Sequence, residues 1–496
     1  MTTSSLPDPA PAAAPPRTPE ARPAGSVGTA RFAVILLALI WPAQLLTAAG
    51  VATGMTTAGI TQAFATTRVA WFALAYTLVA TLLIPVAARL GDVYGKKRVM
   101  LVGATIGLVG DLLVVLAPSF SLVIAGRALA GFYGPIGALV YSAARDVFPP
   151  RHVGMASSLI GSSVGLVTLF APLVSGQLLD HFGFRGPLWF VVFGTVVAIG
   201  LLLLLPETPR RASTARFDLP GSVLLGLATA ALVCGVSQGE EWGWTGARVL
   251  GLFALTTVAA VAFVLVERRR PEPLIDIRWA RRRGVATVLT ATALLQGTVY
   301  SIALLVTLLT LSPPIPGVSA GLGWTGTKTA LVIAAGQVLV FLGGFLVGRM
   351  STRWDPRRPW LAGSAVTVLG LVSYAYLHGN EWEVAFSAIV FGVGVGLVAG
   401  SVPLLILGTV SHEEQGMANG TQILLVGVVN AVTTAVFFVV LAASGVVAEG
   451  TLFYSDEGYR DAYLLAAAIV AASLLISCAI PRVLRTHEIR SGGVPI

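Results

Sequence analysis

Apolar residues come in long runs along this chain, and short segments rich in glycine, proline or charge separate one run from the next. A run of about 20 apolar residues is long enough to cross the hydrocarbon core of a bilayer as an α-helix. The pattern therefore predicts an all-α membrane protein. Fourteen spans are predicted, at residues 31–53, 69–89, 98–117, 121–144, 153–178, 187–206, 219–237, 247–266, 284–311, 326–349, 359–377, 384–409, 416–446 and 462–480.

Composition favours a membrane protein over a soluble one. Only 11% of the 496 residues are charged and 55% are hydrophobic, whereas a soluble domain has about 25% charged residues. Residues 1–30 contain seven prolines and no apolar run, which predicts a disordered tail and no cleavable signal peptide. The first span is therefore expected to direct its own insertion.

The distribution of charge predicts the orientation. If the spans alternate in direction, 26 of the 32 lysine and arginine residues fall in segments on the side of the N-terminus. Basic loops stay in the cytoplasm, so both termini are expected there, with the protein in the plasma membrane. The positive surface then faces anionic lipid headgroups, and no nucleic acid partner is expected.

A tight turn between spans 2 and 3 combines glycines, an acid and two bases. Its residues are Gly91, Asp92, Gly95, Lys96 and Lys97. Glycine allows close packing and positive φ values, and an acid at a helix end can contact the positive N-terminus of a neighbouring helix. A contact that forms in one conformation and breaks in another would make this turn a gate. The alternative is a turn whose lysines only set the topology.

This turn resembles the loop 2–3 signature of the major facilitator superfamily, which ends in aspartate, arginine, one residue, glycine and two basic residues. Ala88 replaces the glycine that opens that signature, and Val93 replaces its arginine. In span 4, Arg127 followed by Gly131 resembles the intramembrane arginine pattern of the same family. The resemblance implies a transporter fold and a gating role for the turn.

Span 5 carries glycines and a proline that resemble the signature of the family's antiporters. They are Gly161, Gly165, Pro172 and Gly176, and Ala171 stands where the signature has a glycine. Glycine and proline bend a helix and let its neighbours approach closely. Ordinary tight packing is the alternative interpretation.

A weak repeat predicts the architecture. Residues 348–358 form a decayed copy of the turn after span 2, with Thr352 aligned to Asp92 at an offset of 260 residues. Spans 1–6 then correspond to spans 9–14, and paired six-helix halves are a common transporter layout. The resemblance implies the major facilitator fold with two extra transmembrane helices, as in the family's fourteen-span drug:proton antiporter branch. The expected parts are a cytoplasmic tail at 1–30, an N-terminal six-helix bundle at 31–206, two linker helices and a basic loop at 207–283, a C-terminal six-helix bundle at 284–481 and a cytoplasmic tail at 482–496.

Two charges are predicted to pair inside the membrane. Asp111 of span 3 is the only acid deep in a span, and Arg127 lies in span 4. Both are eight positions from Ser119 at the turn between these spans, so both lie roughly 12 Å below it at about 1.5 Å per residue. An isolated charge at that depth costs at least about 2.5 kcal/mol, which favours an ion pair. The pair would be either a permanent clamp or a switch that protonation of Asp111 opens, and the third alternative is that the two residues make no contact.

The other polar residues at the depth of a central cavity are uncharged. The candidates for its lining are Trp41, Gln44, Tyr133, Tyr141, Gln296, Tyr300, Gln337, Gln422 and Asn430. Such a lining suits an amphipathic, largely neutral ligand, and span 1 lacks the acid that is common in the drug:proton antiporter branch. Each residue could instead hold two helices together.

These features predict a secondary active transporter that exports hydrophobic or amphipathic small molecules by alternating access, with multidrug or natural-product efflux as its role. A proton gradient is the expected energy source. The alternative is a facilitator-fold transporter of a lipid or metabolite without proton coupling, and a receptor or scaffold also stays open.

Neither an intramembrane enzyme nor an ATP-driven pump is expected. All five histidines fall in loops, and the sequence has no phosphate-binding loop. We therefore predict no catalytic residue, no metal ligand and no cofactor. The expected partners are a small amphipathic substrate, protons and the lipid bilayer, and the chain is expected to be a monomer.

Overall fold

The structure is a computed structural model that describes residues 29–208, 219–270, 275, 277–350, 355–410 and 414–480. The first eight helices are α1 (Thr29–Ala43), α2 (Leu45–Ala63), α3 (Ala70–Tyr94), α4 (Lys96–Leu116), α5 (Phe120–Ala130), α6 (Gly134–Val147), α7 (Pro150–Phe182) and α8 (Arg185–Leu204). The next three are α9 (Leu219–Trp242), α10 (Ala247–Arg269) and α11 (Ile277–Ala280). The last six are α12 (Arg283–Leu311), α13 (Gly326–Met350), α14 (Arg357–Tyr376), α15 (Glu381–Thr409), α16 (Gln415–Ala443) and α17 (Asp456–Ser477). Two antiparallel hairpins pair β1 (Pro314–Ile315) with β2 (Ser319–Ala320) and β3 (Val446–Ala448) with β4 (Thr451–Phe453).

Twelve helical segments of the described residues are long and apolar enough to cross a membrane, two fewer than the fourteen predicted. The predicted spans 69–89 and 359–377 coincide with α3 and α14, which fall short of that standard. In α3 only Ala70–Ile84 counts as an apolar helix. In α14, serine, threonine, glycine and tyrosine dilute the apolar run. The all-helical membrane fold is therefore confirmed, whereas the count of fourteen is not.

Two of the predicted spans are interrupted helices. Span 1 consists of α1 and α2, which meet at Gln44, and it continues to Ala63, beyond its predicted end at residue 53. Span 4 consists of α5 and α6, joined by the 3-10 turn Gly131–Tyr133. Proline cannot donate a backbone hydrogen bond and clashes with the preceding turn. Pro42 and Pro135 lie next to these two interruptions.

Charged contacts mark one face of the molecule. Lys97 Nζ donates to the carbonyl oxygens of Leu203 at 2.9 Å and Leu205 at 2.6 Å, which joins the start of α4 to the end of α8. Arg282 pairs with Glu414 at 2.9 Å, which joins the starts of α12 and α16. We call this end of the molecule the basic face. The opposite face carries the ends of α2, α4 and α7 and the start of α13.

The helices pack as two halves with two extra helices beside them. Helices α1–α8 contact one another, and so do α12–α17. Helix α9 packs against α3 of the first half and α16 of the second, and α10 packs against α9. Val233 of α9 is fully buried in a cluster with Leu74, Ala431 and Ala435. The extra helices therefore lie at the seam between α3 and α16, and the predicted domain boundaries stay a prediction.

Two apolar clusters show where the halves meet. The larger runs through α12–α17 and continues into the ends of α2, α3, α4, α5 and α8 at the opposite face. The smaller belongs to the first half and extends toward the basic face. Deeper between the halves, a Cβ atom on Gly54 of α2 would lie 3.6 Å from Thr307 Oγ1 of α12. The two halves are therefore closed against each other at the opposite face.

Candidate functional site

The glycines of the loop 2–3 turn are required by backbone geometry and by packing. Gly95 ends α3 and begins α4 with φ 94° and ψ 133°, a conformation that side chains disfavour. A Cβ atom on Gly91 would lie 2.6 Å from Leu139 Cδ2 of α6. The two glycines therefore allow a sharp turn that lies directly against α6.

The lysines of the turn bind groups of their own half. Lys96 is 2% exposed and pairs with Asp146 at the end of α6. Lys97 donates to the last carbonyl groups of α8, where the negative end of the helix dipole favours a cation. The N–H group of Lys97 also donates to Thr208 Oγ1 at 3.2 Å. These contacts join α3, α4, α6 and α8 into one unit.

The predicted gating contact of Asp92 is untested. Asp92 belongs to α3, but its side chain lies outside the described residues, and Thr352 of the decayed copy lies outside them as well. At the expected partner, α16 begins immediately after Glu414. Glu414 pairs with Arg282 of its own half. The latch between Asp92 and the start of span 13 stays a prediction.

The Gly/Pro residues of span 5 lie along α7, which continues as a helix through Pro172. At the opposite face, Gly176 is in backbone contact with Gly326 of α13, because a Cβ atom on Gly326 would lie 2.6 Å from Gly176 O. Nearer the basic face, Gly161 and Gly165 have more room, with the nearest atoms 3.4 and 3.9 Å from an added Cβ. Only Gly176 therefore joins the two halves through direct backbone contact among these three glycines.

The predicted ion pair between Asp111 and Arg127 is not formed in the structure. Asp111 is 4% exposed and accepts a hydrogen bond of 2.6 Å from Tyr133 Oη. Tyr133 Oη is also 2.9 Å from Thr195 Oγ1 of α8. A phenol has one proton to donate, so the hydroxyl of Thr195 donates to Tyr133 and the three groups form a directed chain.

Arg127 is held by groups on α2 and α3. Its Nε donates to Phe72 O at 3.2 Å and its Nη2 donates to Thr53 Oγ1. Its Cζ lies 4.2 Å from the ring centre of Tyr76 and 5.0 Å from that of Phe72, which is the range of a cation–π contact. These contacts hold a guanidinium that is 1% exposed, and none of them comes from a carboxylate.

The failed ion pair has a geometric reason. Helices α4 and α5 meet at Gly110 and Gly126, where a Cβ atom on either glycine would lie within 2.6 Å of the carbonyl oxygen of the other. Asp111 and Arg127 directly follow these glycines, so their depths match as predicted. The long arginine side chain extends to α2 and α3, whereas Asp111 faces Tyr133. The two buried charges are neighbours with separate partners.

Several predicted cavity residues bond to neighbouring helices. In the first half, Trp41 Nε1 donates to Gly194 O at 2.7 Å, and Gln44 Nε2 donates to Ser163 Oγ at 2.9 Å. Tyr133 is committed to Asp111, as described above. These three candidates therefore hold helices of the first half together.

The same is true of three candidates in the second half. Gln422 Nε2 of α16 donates to Gln296 Oε1 of α12 at 2.5 Å. Ser301 Oγ of α12 donates to Asn430 Oδ1 at 2.9 Å and is 2.9 Å from Thr433 Oγ1. This polar cluster joins α12 to α16.

The other three candidates are available to a ligand. Tyr300 is 61% exposed, Tyr141 is 39% exposed and Gln337 is half-buried. Within the part of the chain that the structure describes, their side chains have no hydrogen bond partner. Helix α12 packs against α2 of the first half and against α15, α16 and α17 of the second, so Tyr300 belongs to a helix that borders the space between the halves. We take this space between the halves as the candidate substrate site.

Sequence reasoning missed the partners of the buried polar groups. Asp146, Thr53 and Thr195 lie 50, 74 and 62 positions from the residues that they bind. No local spacing rule connects residues so far apart. The one sequence feature that could have indicated such a partner was Asp146, an acid among basic residues in the loop after span 4.

A comparison with protein families identifies the architecture. The model of the Major Facilitator Superfamily matches residues 32–434, which is most of the chain. The chain belongs to the Major Facilitator Superfamily. This membership confirms the prediction of a transporter family over an enzyme.

Relatives within the Major Facilitator Superfamily include proteins named as exporters or resistance proteins. The probable actinorhodin transporter of Streptomyces coelicolor is 31% identical over 409 residues, which cover 78% of this chain and 66% of the relative. Multidrug resistance protein Stp of Mycobacterium tuberculosis is 28% identical over 358 residues, which cover 71% of this chain and 64% of the relative. The match therefore spans slightly less than two thirds of the length of either relative.

Solved transporter structures share the fold. The D-xylose-proton symporter matches with a TM-score of 0.61 at 13% identity, over 88% of this chain and 97% of that protein. At this identity the likeness shows the fold alone.

Proposed function

We propose that this protein is a secondary active exporter of hydrophobic or amphipathic small molecules that works by alternating access. The observation that carries the proposal is the closure of the two halves at the opposite face, together with the exposed ring of Tyr300 on α12, a helix that borders both halves. In either of its two access states, an alternating-access transporter has one entrance closed and its central site open to the other side.

The orientation and the number of spans are parts of the same proposal. Basic loops favour the cytoplasm, so the basic face is cytoplasmic and both termini lie inside. If α3 and α14 cross the plasma membrane with the twelve apolar segments, the total is fourteen and the termini share one side. The closed opposite face is then extracellular, and the structure represents an inward-facing state.

The chemistry of the open space supports a largely neutral, amphipathic substrate. Tyr141, Tyr300 and Gln337 offer aromatic faces and uncharged donors and acceptors. The buried acid Asp111 is turned toward Tyr133. The names of the relatives, with actinorhodin and multiple drugs as their compounds, favour export of compounds of this kind.

Proton coupling is proposed to depend on Asp111. The carboxylate accepts from Tyr133, which accepts from Thr195 of α8. A proton on Oδ2 of Asp111 would turn that atom from an acceptor into a donor. The carboxyl group would then have to rotate to present its other oxygen to Tyr133, or the hydrogen bond would have to reverse its direction. Protonation is thereby linked to how α4 packs against Tyr133, in the 3-10 turn between α5 and α6, and against α8. The buried charge of Arg127 lies close to this contact.

Proteoliposomes test the function directly. Purified protein is reconstituted, and uptake of actinorhodin and of the neutral dye Nile red is measured with and without a pH gradient. We expect gradient-dependent uptake by the wild type and gradient-independent, slower uptake by Asp111→Asn, whose amide still accepts from Tyr133. Tyr133→Phe is the matched control for loss of the hydrogen bond without loss of the acid.

The outcomes separate the candidate functions. Uptake that ignores the gradient in the wild type would favour a facilitator without proton coupling. Absence of uptake for both compounds, with folded protein in the liposomes, would count against an exporter of this substrate class.

A further inference from the structure

A carboxylate outside the recognised motifs bridges the two halves. Asp180 lies near the end of α7, at the opposite face. Its Oδ1 accepts from Gly326 N at 2.6 Å and its Oδ2 accepts from Thr327 N at 2.8 Å. Both donors belong to the first turn of α13 in the second half. Both hydrogen bonds therefore cross from α1–α8 to α12–α17.

The donors that Asp180 binds are left free by their own helix. The first N–H groups of a helix have no partner within it. Thr325 Oγ1 precedes α13 and accepts from Lys328 N at 3.2 Å, which leaves Gly326 N and Thr327 N to another acceptor. A carboxylate there also lies at the positive end of the helix dipole. The second half therefore presents two oriented N–H donors, and a carboxylate of the first half accepts from both.

The bridge lies one helical turn from the tightest contact between the halves. Gly176 precedes Asp180 by four residues, and its carbonyl oxygen would lie 2.6 Å from a Cβ atom on Gly326. That same Cβ would lie 3.0 Å from Leu179 Cβ. Movement of α7 away from α13 breaks both hydrogen bonds of Asp180 together.

We propose that Asp180 is the latch that holds the two halves closed at the opposite face, and that its release accompanies opening of the cavity on that side. The proposal rests on alternating access as the proposed function. In the closed state the carboxylate is bound by two backbone donors. In the open state both backbone donors lose the carboxylate, and water takes its place at the first turn of α13.

Spin-label distances test the latch in the full-length protein in nanodiscs, with Cys234 and Cys478 replaced by serine. One label pair, at Phe182 and Trp382, reports on the opposite face, since both side chains are exposed. We expect Asp180→Ala to raise the ratio of long to short distances by about two- to thirtyfold, as the loss of roughly 0.5–2 kcal/mol from a helix N-cap implies. Asp180→Asn keeps one acceptor and should give a smaller rise.

The matched control is Asp461→Asn. Asp461 is an exposed acid of α17 near the same face, and its partner is the adjacent Arg460. This variant removes the same charge without touching the seam, and its distances should equal those of the wild type.

An unchanged distance distribution in Asp180→Ala, with or without a lower melting temperature, would overturn the latch and leave Asp180 as a helix cap only. If that variant does not fold, Asp180→Asn decides by the same ratio. The distances do not depend on transport, so a wild type without flux would contradict the proposed exporter and still leave the latch to be judged by its own measurement.

Discussion

Arg127 lies buried between three helices, and its contacts explain why it tolerates the membrane interior without a carboxylate partner. Two of its nitrogen atoms donate to Phe72 O and Thr53 Oγ1, and its planar face stacks on Tyr76. Guanidinium is planar, carries several donors in a fixed fork and is weakly hydrated, so it suits such a site better than an ammonium group does. The residue thereby ties α5 to α2 and α3.

At this scale we predict that Arg127→Lys destabilises the protein by about 2–3 kcal/mol, the value of one lost hydrogen bond to a charged group. Lysine has no second planar donor for Phe72 and stacks less well. Unfolding midpoints in detergent measure the change. Arg248→Lys is the control, because Arg248 is an exposed arginine 5.5 Å from the ring centre of Trp242. Equal midpoints for both variants would contradict the prediction.

The crossing of α4 and α5 decides where the buried charges lie. Gly110 and Gly126 bring the two backbones into contact, and small residues at such crossings are typical of membrane helices. Because Asp111 and Arg127 each follow one of these glycines, any spreading of the crossing moves both charges. Tight packing at this element is therefore coupled to the candidate proton site.

For this element we predict that Gly126→Ala lowers stability by about 1–3 kcal/mol, because its methyl group would overlap the backbone of α4. Thermal or denaturant unfolding in detergent checks the value. Gly251→Ala in α10 is the matched control, since nothing lies within 4 Å of a Cβ atom there. That control should gain up to about 1 kcal/mol from helix propensity. A neutral Gly126→Ala would show that the crossing can relax.

For the whole molecule, the side of the membrane on which each loop lies tests the proposed topology. The connection between α9 and α10 lies at the opposite face if the helices alternate, so Gly243→Cys should react with an impermeant maleimide added outside intact cells. Arg358→Cys, at the start of α14, should react only after permeabilisation. The native Cys234 and Cys478 are first replaced by serine. Labelling of residue 243 from inside only would refute the proposed orientation.

The same two-state scheme gives Asp92 its test. If Asp92 contacts the start of α16 when the basic face closes, Asp92→Asn should raise the fraction open at that face by about two- to fivefold, as roughly 0.3–1 kcal/mol from a helix dipole implies. Labels at Tyr94 and Arg358, both exposed, report the distance. Asp355→Asn is the control, because Asp355 accepts from Arg357 N within its own half. Identical distributions in all three proteins would make Asp92 a turn residue only.

The helices were largely predictable because hydropathy is a local property of the chain. Most predicted spans coincide with helices within a few residues, and the turn at Gly95 falls where expected. The count was less secure, since the apolar stretch established for α3 covers only Ala70–Ile84 and α14 contains many polar and small residues. Their helical structure depends on packing against other helices as much as on contact with lipid.

The sequence by itself determined the membrane class, the order of the helices, the charge asymmetry and the equal depth of Asp111 and Arg127. Each follows from composition or from a fixed rise per residue. Only the tertiary structure decided that Asp111 binds Tyr133, that Arg127 binds Thr53 and that Asp180 caps a helix of the other half. Which neighbouring helix a side chain contacts depends on how its own helix is rotated and on where distant helices cross it. The spacing of residues along the chain does not determine that rotation.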